Sequence, residues 1–397
     1  MDGGGGSRNQ GRSSRFRGPG NPSRSSRSDL RPSLPGTSDR RRPPSAVAEN
    51  PTVEDRGGPF IGTCPDMCPA KERAQRERLR DLSAFERLNG NPGKTSSSLA
   101  VKKFCRTISA SEMAVADIRP LPVLQDTLRY LFRLLETSGY QFEMVHDFVF
   151  DRMRSIRQDL SLQHIVNDQA IQMYEEMVKF HIIANHKLPK NSDKSLHHLN
   201  MEQLTKCLIS LYDMYAINRK SNSINKNEAE FYSFYVLLHL GSNSQGDSLS
   251  LWFRKLAYPI VTSNEMCFAR SLLRYFRLGN YKRFFSTAAT EVSFLQLCLI
   301  EPFLNELRAL AISYINYSCY KLHSYPVAHL SVILMMKETE TESLCEACGL
   351  EICIDEDGNR FLPTKQTGFS LPRGFQNYSF QGFDRFEREV CSFDLAI

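Results

Sequence analysis

No apolar run in the chain approaches the roughly 18 residues a membrane-spanning helix needs. The start also lacks the basic, apolar and small-residue succession of a secretory signal. These absences lead to the expectation of a soluble, intracellular chain. Its eleven cysteines follow no repeated framework, which fits reduced thiols in the nucleus or cytosol rather than a disulfide scaffold. There is no Walker loop, no H-E-x-x-H, no G-x-S-x-G and no dinucleotide fingerprint, so the common phosphoryl-transfer, metalloprotease, hydrolase and redox signatures are missing and the expectation is a protein that is not an enzyme. Lysine is absent from residues 1–50, where ten Arg stand against Asp2, Asp29, Asp39 and Glu49. That excess equals the net charge of +6 of all 397 residues, so the rest of the chain is electrically balanced.

What residues 1–58 do contain is Gly, Ser, Pro and Arg, with almost nothing to bury, and such a composition does not repay the entropy of folding. A disordered tail is expected there. Arg-Gly and Arg-Ser tails bind RNA weakly through phosphate charge and guanidinium stacking. The plainer alternative is a solubilising or import tail, with "DRRRPP" as a short signal. Beyond it, 41% apolar and 10% aromatic residues suffice for a sizeable core. The dominant period is helical. Leu121, Leu124, Leu128, Leu131 and Leu135 form one stripe, entered through Pro120 and Pro122 and closed by Gly139, and Leu204, Leu208, Leu211 and Tyr215 repeat the pattern. Similar stripes recur to residue 318, predicting antiparallel helix pairs stacked in a solenoid-like array without a strict repeat. Near the end "VAHLSVILMMK" and "TESLCEACG" precede "LEICIDEDGNRFLP", two extended runs around Asp357-Gly358. Helices followed by a hairpin are the order of a winged helix.

"FIGTCPDMCPAKERAQRERLRDLSAFERL", residues 60–88, is the densest stretch. Cys64 and Cys68 offer two zinc ligands and Cys105 a distant third, short of the four a closed site uses, so buried thiols at the edge of a helix are expected instead. On that helix Leu79, Leu82, Phe85 and Leu88 sweep one side, and Arg73, Arg76, Arg80 and Arg87 lie together on the other. This predicts an exposed basic stripe, either a contact for RNA or an acidic partner or a solvated face paired with Glu72 and Glu77. In "FDRMRSIRQDLS" the charges Asp151, Arg152, Arg154, Arg157 and Asp159 read as ion pairs locking two helices. In "FARSLLRYFRLGNYKRFF" Arg270, Arg274 and Arg277 step along one face, and Lys282 and Arg283 follow a turn at Gly279-Asn280 with Tyr281 and Phe284 interleaved. Basic charge beside aromatic rings suits single-stranded RNA, although packing between helices is the ordinary use of such rings. The helix "TETESLCEACG" carries Glu340, Glu342 and Glu346, which would repel phosphates, so the winged helix is expected to bind protein rather than DNA. Cys345, Cys348 and Cys353 are one thiol short of a closed metal site, and His197-His198 stands without companion ligands. Gly-Phe pairs at 368, 374 and 382 suggest either pore or export-receptor contact or a tail packing its rings on the body.

The opening stretch, with Gly62, Cys64, Asp66, Met67, Cys68, Pro69, Glu72 and Arg73 and then "LSAFE" at 82–86, resembles the entry motif of the GANP or Sac-three (suppressor of actin) family. "AVKKFCRTISASEMAVADIRPLPVLQDTLRYL" (100–131) and "FVFDRMRSIRQDLSLQ" (148–163) resemble two further blocks of that family in the same order. The resemblance covers residues 60–365. It implies an all-α fold, a helical-repeat (TPR-like) array ending in a PCI-type winged helix with a small β-hairpin. The divisions expected are the tail at 1–58, a family-specific helical region at 59–195, a PCI-like array and winged helix at 196–365, and a C-terminal tail at 366–397. It also implies a non-enzymatic nuclear scaffold of the TREX-2 type, coupling transcription to mRNA export at the nuclear pore, without a cofactor. Its implied partners are a second PCI-domain protein, a small acidic Dss/Sem-type protein and mRNA. With no Phe-Gly-type repeats before the array and no long helix after it in this sequence, a short, core-only member is expected. Other relatives of this kind are linked to the centrosome and spindle or to splicing, the alternative roles for the same fold.

Overall fold

The computed structural model describes residues 61–107, 114–137, 139–189, 194–220, 225–241, 246–318, 324–372 and 378–386. The expected tail at 1–58 and the Gly-Phe pair at 374 lie outside them. The described chain is mostly helical: α1 (Ala70–Leu79), α2 (Leu121–Thr137), α3 (Phe142–Leu162), α4 (Asp168–Lys187), α5 (Lys194–Lys220), α6 (Glu228–Leu238), α7 (Gly246–Arg254), α8 (Tyr258–Val261), α9 (Asn264–Arg277), α10 (Tyr281–Thr290) and α11 (Phe294–Ser318). The leucine stripes do what their spacing requires. Leu124, Leu128 and Leu131 on α2, and Leu204, Leu208, Leu211 and Tyr215 on α5, are buried. Each such side chain contributes about 1.5–3 kcal/mol on leaving water. Successive helices pack as α2 on α3 and α4 on α5, but the stacking is not strictly sequential. Helix α6 packs on α9, and the long α11 reaches back to α4 and α6. The α4–α5 packing also runs across the expected border at residues 195/196.

The last part of the body follows α11 in the order β1 (Ser324–Pro326), α12 (Val327–Leu334), α13 (Glu338–Ala347), β2 (Cys353–Ile354) and β3 (Arg360–Pro363). The strands form one antiparallel sheet in the order β1-β3-β2, with Tyr325 opposite Leu362 and Cys353 opposite Phe361. The Asp357-Gly358 signal is the hairpin turn, where Gly358 takes φ +81° and the Asp355 carboxylate accepts from the Asn359 amide at 2.7 Å. Strand β1 had no sequence signal, because it has three residues and ends in Pro326 at the sheet edge. Beyond the hairpin the described residues pack on the body. Phe369 meets Tyr317 edge-on, Phe380 is buried, and Phe383 stacks on His186 at 4.8 Å between centroids. The two described Gly-Phe pairs thus spend their rings on packing.

The three sequence blocks at 60–88, 100–131 and 148–163 converge in space around two buried carboxylates, Asp159 and Glu86. Asp159 of α3 accepts from Lys102 Nζ and Arg119 Nε, both at 2.7 Å, and Arg119 continues to the Met67 carbonyl (3.2 Å) and Ser155 Oγ (2.9 Å). Glu86 holds Arg76 and Arg152, the latter at 3.1 Å, and accepts from the amides of Ser83 (3.1 Å) and Val101 (3.0 Å). Burial opposes ionisation of Glu86. The Arg76 hydrogen bond, the two guanidinium charges and the Val101 amide outweigh it and hold its pKa below the ordinary glutamate value. Gly62 donates to Gln163 Oε1 at 2.8 Å, and a Cβ there would stand 2.4 Å from the Ile118 carbonyl oxygen. The charges of "FDRMRSIRQDLS" do form ion pairs: through Glu86, shared by Arg76 of α1 and Arg152 of α3, they join two helices, and through Asp159 they fasten α3 to Lys102 and Arg119.

Candidate nucleic-acid interface

The entry segment does not carry the expected basic stripe. Helix α1 ends at Leu79 because Arg80 turns into the left-handed region (φ 54°) and Asp81 N bonds back to the Arg76 carbonyl at 2.9 Å. Arg76, expected on the exposed face, is only 4% exposed and donates to Glu86, to the Asp81 carbonyl (3.1 Å) and to the Val101 carbonyl (3.0 Å). Its buried grip on Asp81 fixes the turn, a tertiary cause that no glycine announces. Arg73 pairs with Asp66 at 2.8 Å, Arg87 is half-buried with Nε on the Leu82 carbonyl, and Arg80 alone of the four is exposed. Leu79, expected to face the core, is 62% exposed. Cys64 and Cys68 are buried, and burial pushes the Cys68 thiol up to about 12, with Glu72 adding to it. Cys345 and Cys348 are likewise buried, whereas Cys353 is exposed on β2. Among the described residues no group of three or more His, Cys, Asp or Glu is placed to hold a metal ion. His197 contacts Asn185 Oδ1 at 3.0 Å and the Pro189 carbonyl at 3.2 Å.

The second basic set is laid out very differently. Helix α9 begins where Ser263 Oγ accepts from the Met266 amide (3.2 Å), buries Met266, Ala269, Leu272 and Leu273, and ends at Gly279, which takes φ +63°. A side chain on Gly279 would collide with the Tyr314 ring, 2.7 Å away, so turn and packing demand the same residue. Burial of that face leaves Arg270, Arg274 and Arg277 on the opposite one. All three are exposed and line one side of an open groove of about 610 Å³, whose other walls come from α7 and α8 through Ser250, Phe253 and Val261. The Arg270 guanidinium lies 5.6 Å from the centre of the Phe253 ring. Arg274 and Arg277 also occupy the last turn of α9, where the helix dipole favours cations. None of the three forms an ion pair with a described residue.

Lys282 and Arg283 are exposed beyond the turn and do not line the groove. Of the aromatics expected to interleave with them, Phe284 is fully buried and Tyr281 half-buried, so packing claims the first and much of the second. The sequence reading missed the opposite wall. "WFRKLAY", residues 252–258, is itself basic charge among aromatics: Phe253 lines the groove, Arg254 and Lys255 are exposed beside it, and Tyr258 is 79% exposed. Cations along one wall and a ring on the other are the two kinds of group that single-stranded nucleic acid engages, through phosphate charge and base stacking.

The profile of the SAC3/GANP family matches residues 67–353. SAC3 family protein B of Arabidopsis thaliana is 38% identical over 309 residues, 75% of this chain and 18% of that protein. SAC3 family protein 1 of Schizosaccharomyces pombe is 30% identical over 345 residues, 80% of this chain and 33% of its own length. Protein xmas of Drosophila melanogaster is 28% identical over 347 residues, covering 82% and 16%. The chain therefore spans a third or less of the length of these relatives. With a match that includes α1 through the start of the hairpin, and with the three blocks that knit the buried ionic network inside or beside it, the chain belongs to the SAC3/GANP family.

Proposed function

We propose that this chain is a non-enzymatic scaffold in a nuclear mRNA-export complex of the TREX-2 type, and that the α7–α9 groove is where it holds single-stranded RNA. The observation that carries the RNA reading is the row Arg270, Arg274 and Arg277, exposed and without ion pairs to described residues, facing Phe253. Guanidinium groups left without carboxylates in a groove supply phosphate contacts at little desolvation cost. Membership of the family supports the export role. The order α11-β1-α12-α13-β2-β3, with the sheet order β1-β3-β2, supports reading residues 294–363 as a PCI-type winged helix. Its third helix is acidic, with Glu342 taken up by Arg360 at 2.5 Å and Glu340 by Ser379, so it suits a protein surface better than phosphate. In this account the winged helix docks a second PCI-type subunit, joined by a small acidic Dss/Sem-type protein. The shared surface lengthens the RNA track beyond three arginines.

The test is co-expression of the full chain with a candidate PCI-type subunit, followed by titration of fluorescent single-stranded RNA. A stable complex that binds RNA more tightly than either chain, and less tightly with Arg274→Glu plus Lys282→Glu, is the expected result. No complex, together with RNA binding indifferent to those changes, overturns the reading in favour of an adaptor role outside export.

A further inference from the structure

Helix α3 carries a second group of cations that neither the ionic network nor the groove uses. Arg154 and Arg157 lie one turn apart on it, and the segment 103–107 is laid across the same helix by two hydrogen bonds. These run from the Phe104 amide to Asp151 (3.3 Å) and from Gln158 Nε2 to the Cys105 carbonyl (2.9 Å). The segment places the Phe104 ring 3.8 Å under the Arg154 guanidinium and carries the exposed Arg106, whose charge acts on Arg154. Two carboxylates come near, and both are taken: Asp151 by Arg152, Glu202 by Lys206 Nζ at 2.5 Å. Arg157 donates to Gln203 Oε1, a neutral acceptor, and its Nε is buried with no partner among the described residues. Burial depresses the pKa of Arg154, and the like charges of Arg157 and Arg106 add to that against the pull of Asp151. Arg154 and Arg157 are thus half-buried and form no ion pair with a described residue, and the exposed Arg106 adds a third positive charge that Arg154 feels.

We infer that Arg106, Arg154 and Arg157 form a recognition site for a phosphomonoester on a peptide, a phosphoserine or phosphothreonine. Charge matches: a phosphomonoester carries about −1.5 to −2 at pH 7, and planar guanidinium edges present paired donors to its oxygens. Shape argues against RNA at this place. The face of Phe104 that a base would stack on is covered by Arg154, and Asp151 and Glu202 flank the cluster, so the positive field is compact rather than a track. The inference stands apart from the RNA reading of the α7–α9 groove.

The test measures binding of a fluorescent Ala/Gly-based peptide carrying one phosphoserine to the full chain, beside its unphosphorylated twin and a 12-nucleotide single-stranded RNA. The phosphopeptide is expected to bind and its twin not, with affinity falling about tenfold or more on Arg154→Gln and staying unchanged on Arg274→Glu plus Arg277→Glu. Phe104→Leu keeps every charge and unclamps Arg154, and a severalfold loss is expected there. Inorganic phosphate is expected to compete on the unaltered protein, which reads the site without any substitution. Equal binding of both peptides overturns the inference. So does an RNA affinity that falls with Arg154→Gln while the phosphopeptide shows none, which would make the cluster part of an RNA path.

Discussion

Replacing Asp159 by Asn removes one negative charge from a fully buried site and leaves Lys102 and Arg119 facing each other across an amide. At an effective dielectric of about 20, each 2.7 Å contact carries roughly 6 kcal/mol of Coulomb attraction, so two contacts carry about twice that. The carboxylate's own desolvation cost, relieved by the change, and the oxygen that Asn keeps offset much of it. Loss of one partner from a buried ion pair leaves about 3–5 kcal/mol of destabilisation. With a urea slope of about 3 kcal/mol per molar, the unfolding midpoint of Asp159→Asn should fall by roughly 1–1.7 M. Asp126→Asn is the control. Its pair with Arg129 is exposed on both sides, at 52% and 69%, and pairs of that kind contribute under about 1 kcal/mol, or less than about 0.3 M. A shift for Asp159→Asn no larger than the control's refutes the claim that this knot fastens α3 to Lys102 and Arg119 of the block at 100–131.

Burial lowers the pKa of His181 to about 3, while the Asn200 hydrogen bond opposes the shift. The unfolded chain takes up that proton near pH 6.5 and the folded one does not, so stability is full above that pH and is lost as pH falls. From pH 7 to 5 the loss is about 2 kcal/mol. Subtracting the pH 7-to-5 midpoint change of His181→Gln from that of the unaltered chain isolates the effect from the carboxylates, and a difference near zero contradicts it. A thiol reagent should label Cys105, Cys267 and Cys353 in the folded protein, and the six buried cysteines of the described chain only after unfolding. Peptide mapping by mass spectrometry reads this directly. Early labelling of Cys64 or Cys68 counts against the buried-thiol reading of the entry segment.

The apolar periods were the legible part of the sequence. The stripes on α2 and α5 and the hairpin at Asp357-Gly358 follow from spacing and from one turn signal, both local. What failed was the assumption that charge on a helical wheel faces water. Arg76 looked like one of four exposed cations and is instead a buried strut, because its partners Glu86, Asp81 and Val101 lie 5 to 25 residues away in the chain. Arg154 and Arg157 erred in the other direction: they read as paired, yet the carboxylates beside them are claimed by Arg152 and Lys206. The row Arg270, Arg274 and Arg277 was readable because the buried face of α9 fixes the opposite face. Its facing wall, from "WFRKLAY", was not, since nothing local says that α7 and α9 line one groove.

The salt dependence of RNA binding tests the central claim most directly. For single strands log K falls with log salt at about −0.7 per phosphate contacted, so three arginines in the groove account for a slope of about −2. Binding of a 12-nucleotide RNA to the full chain is compared with that of the Arg270→Gln, Arg274→Gln and Arg277→Gln triple variant across 50–200 mM salt, a range chosen at roughly physiological ionic strength and below. The account predicts that the triple variant binds more weakly and that its slope is shallower by about 2. An unchanged slope, or unchanged affinity, contradicts the assignment of the α7–α9 groove as the RNA-holding surface.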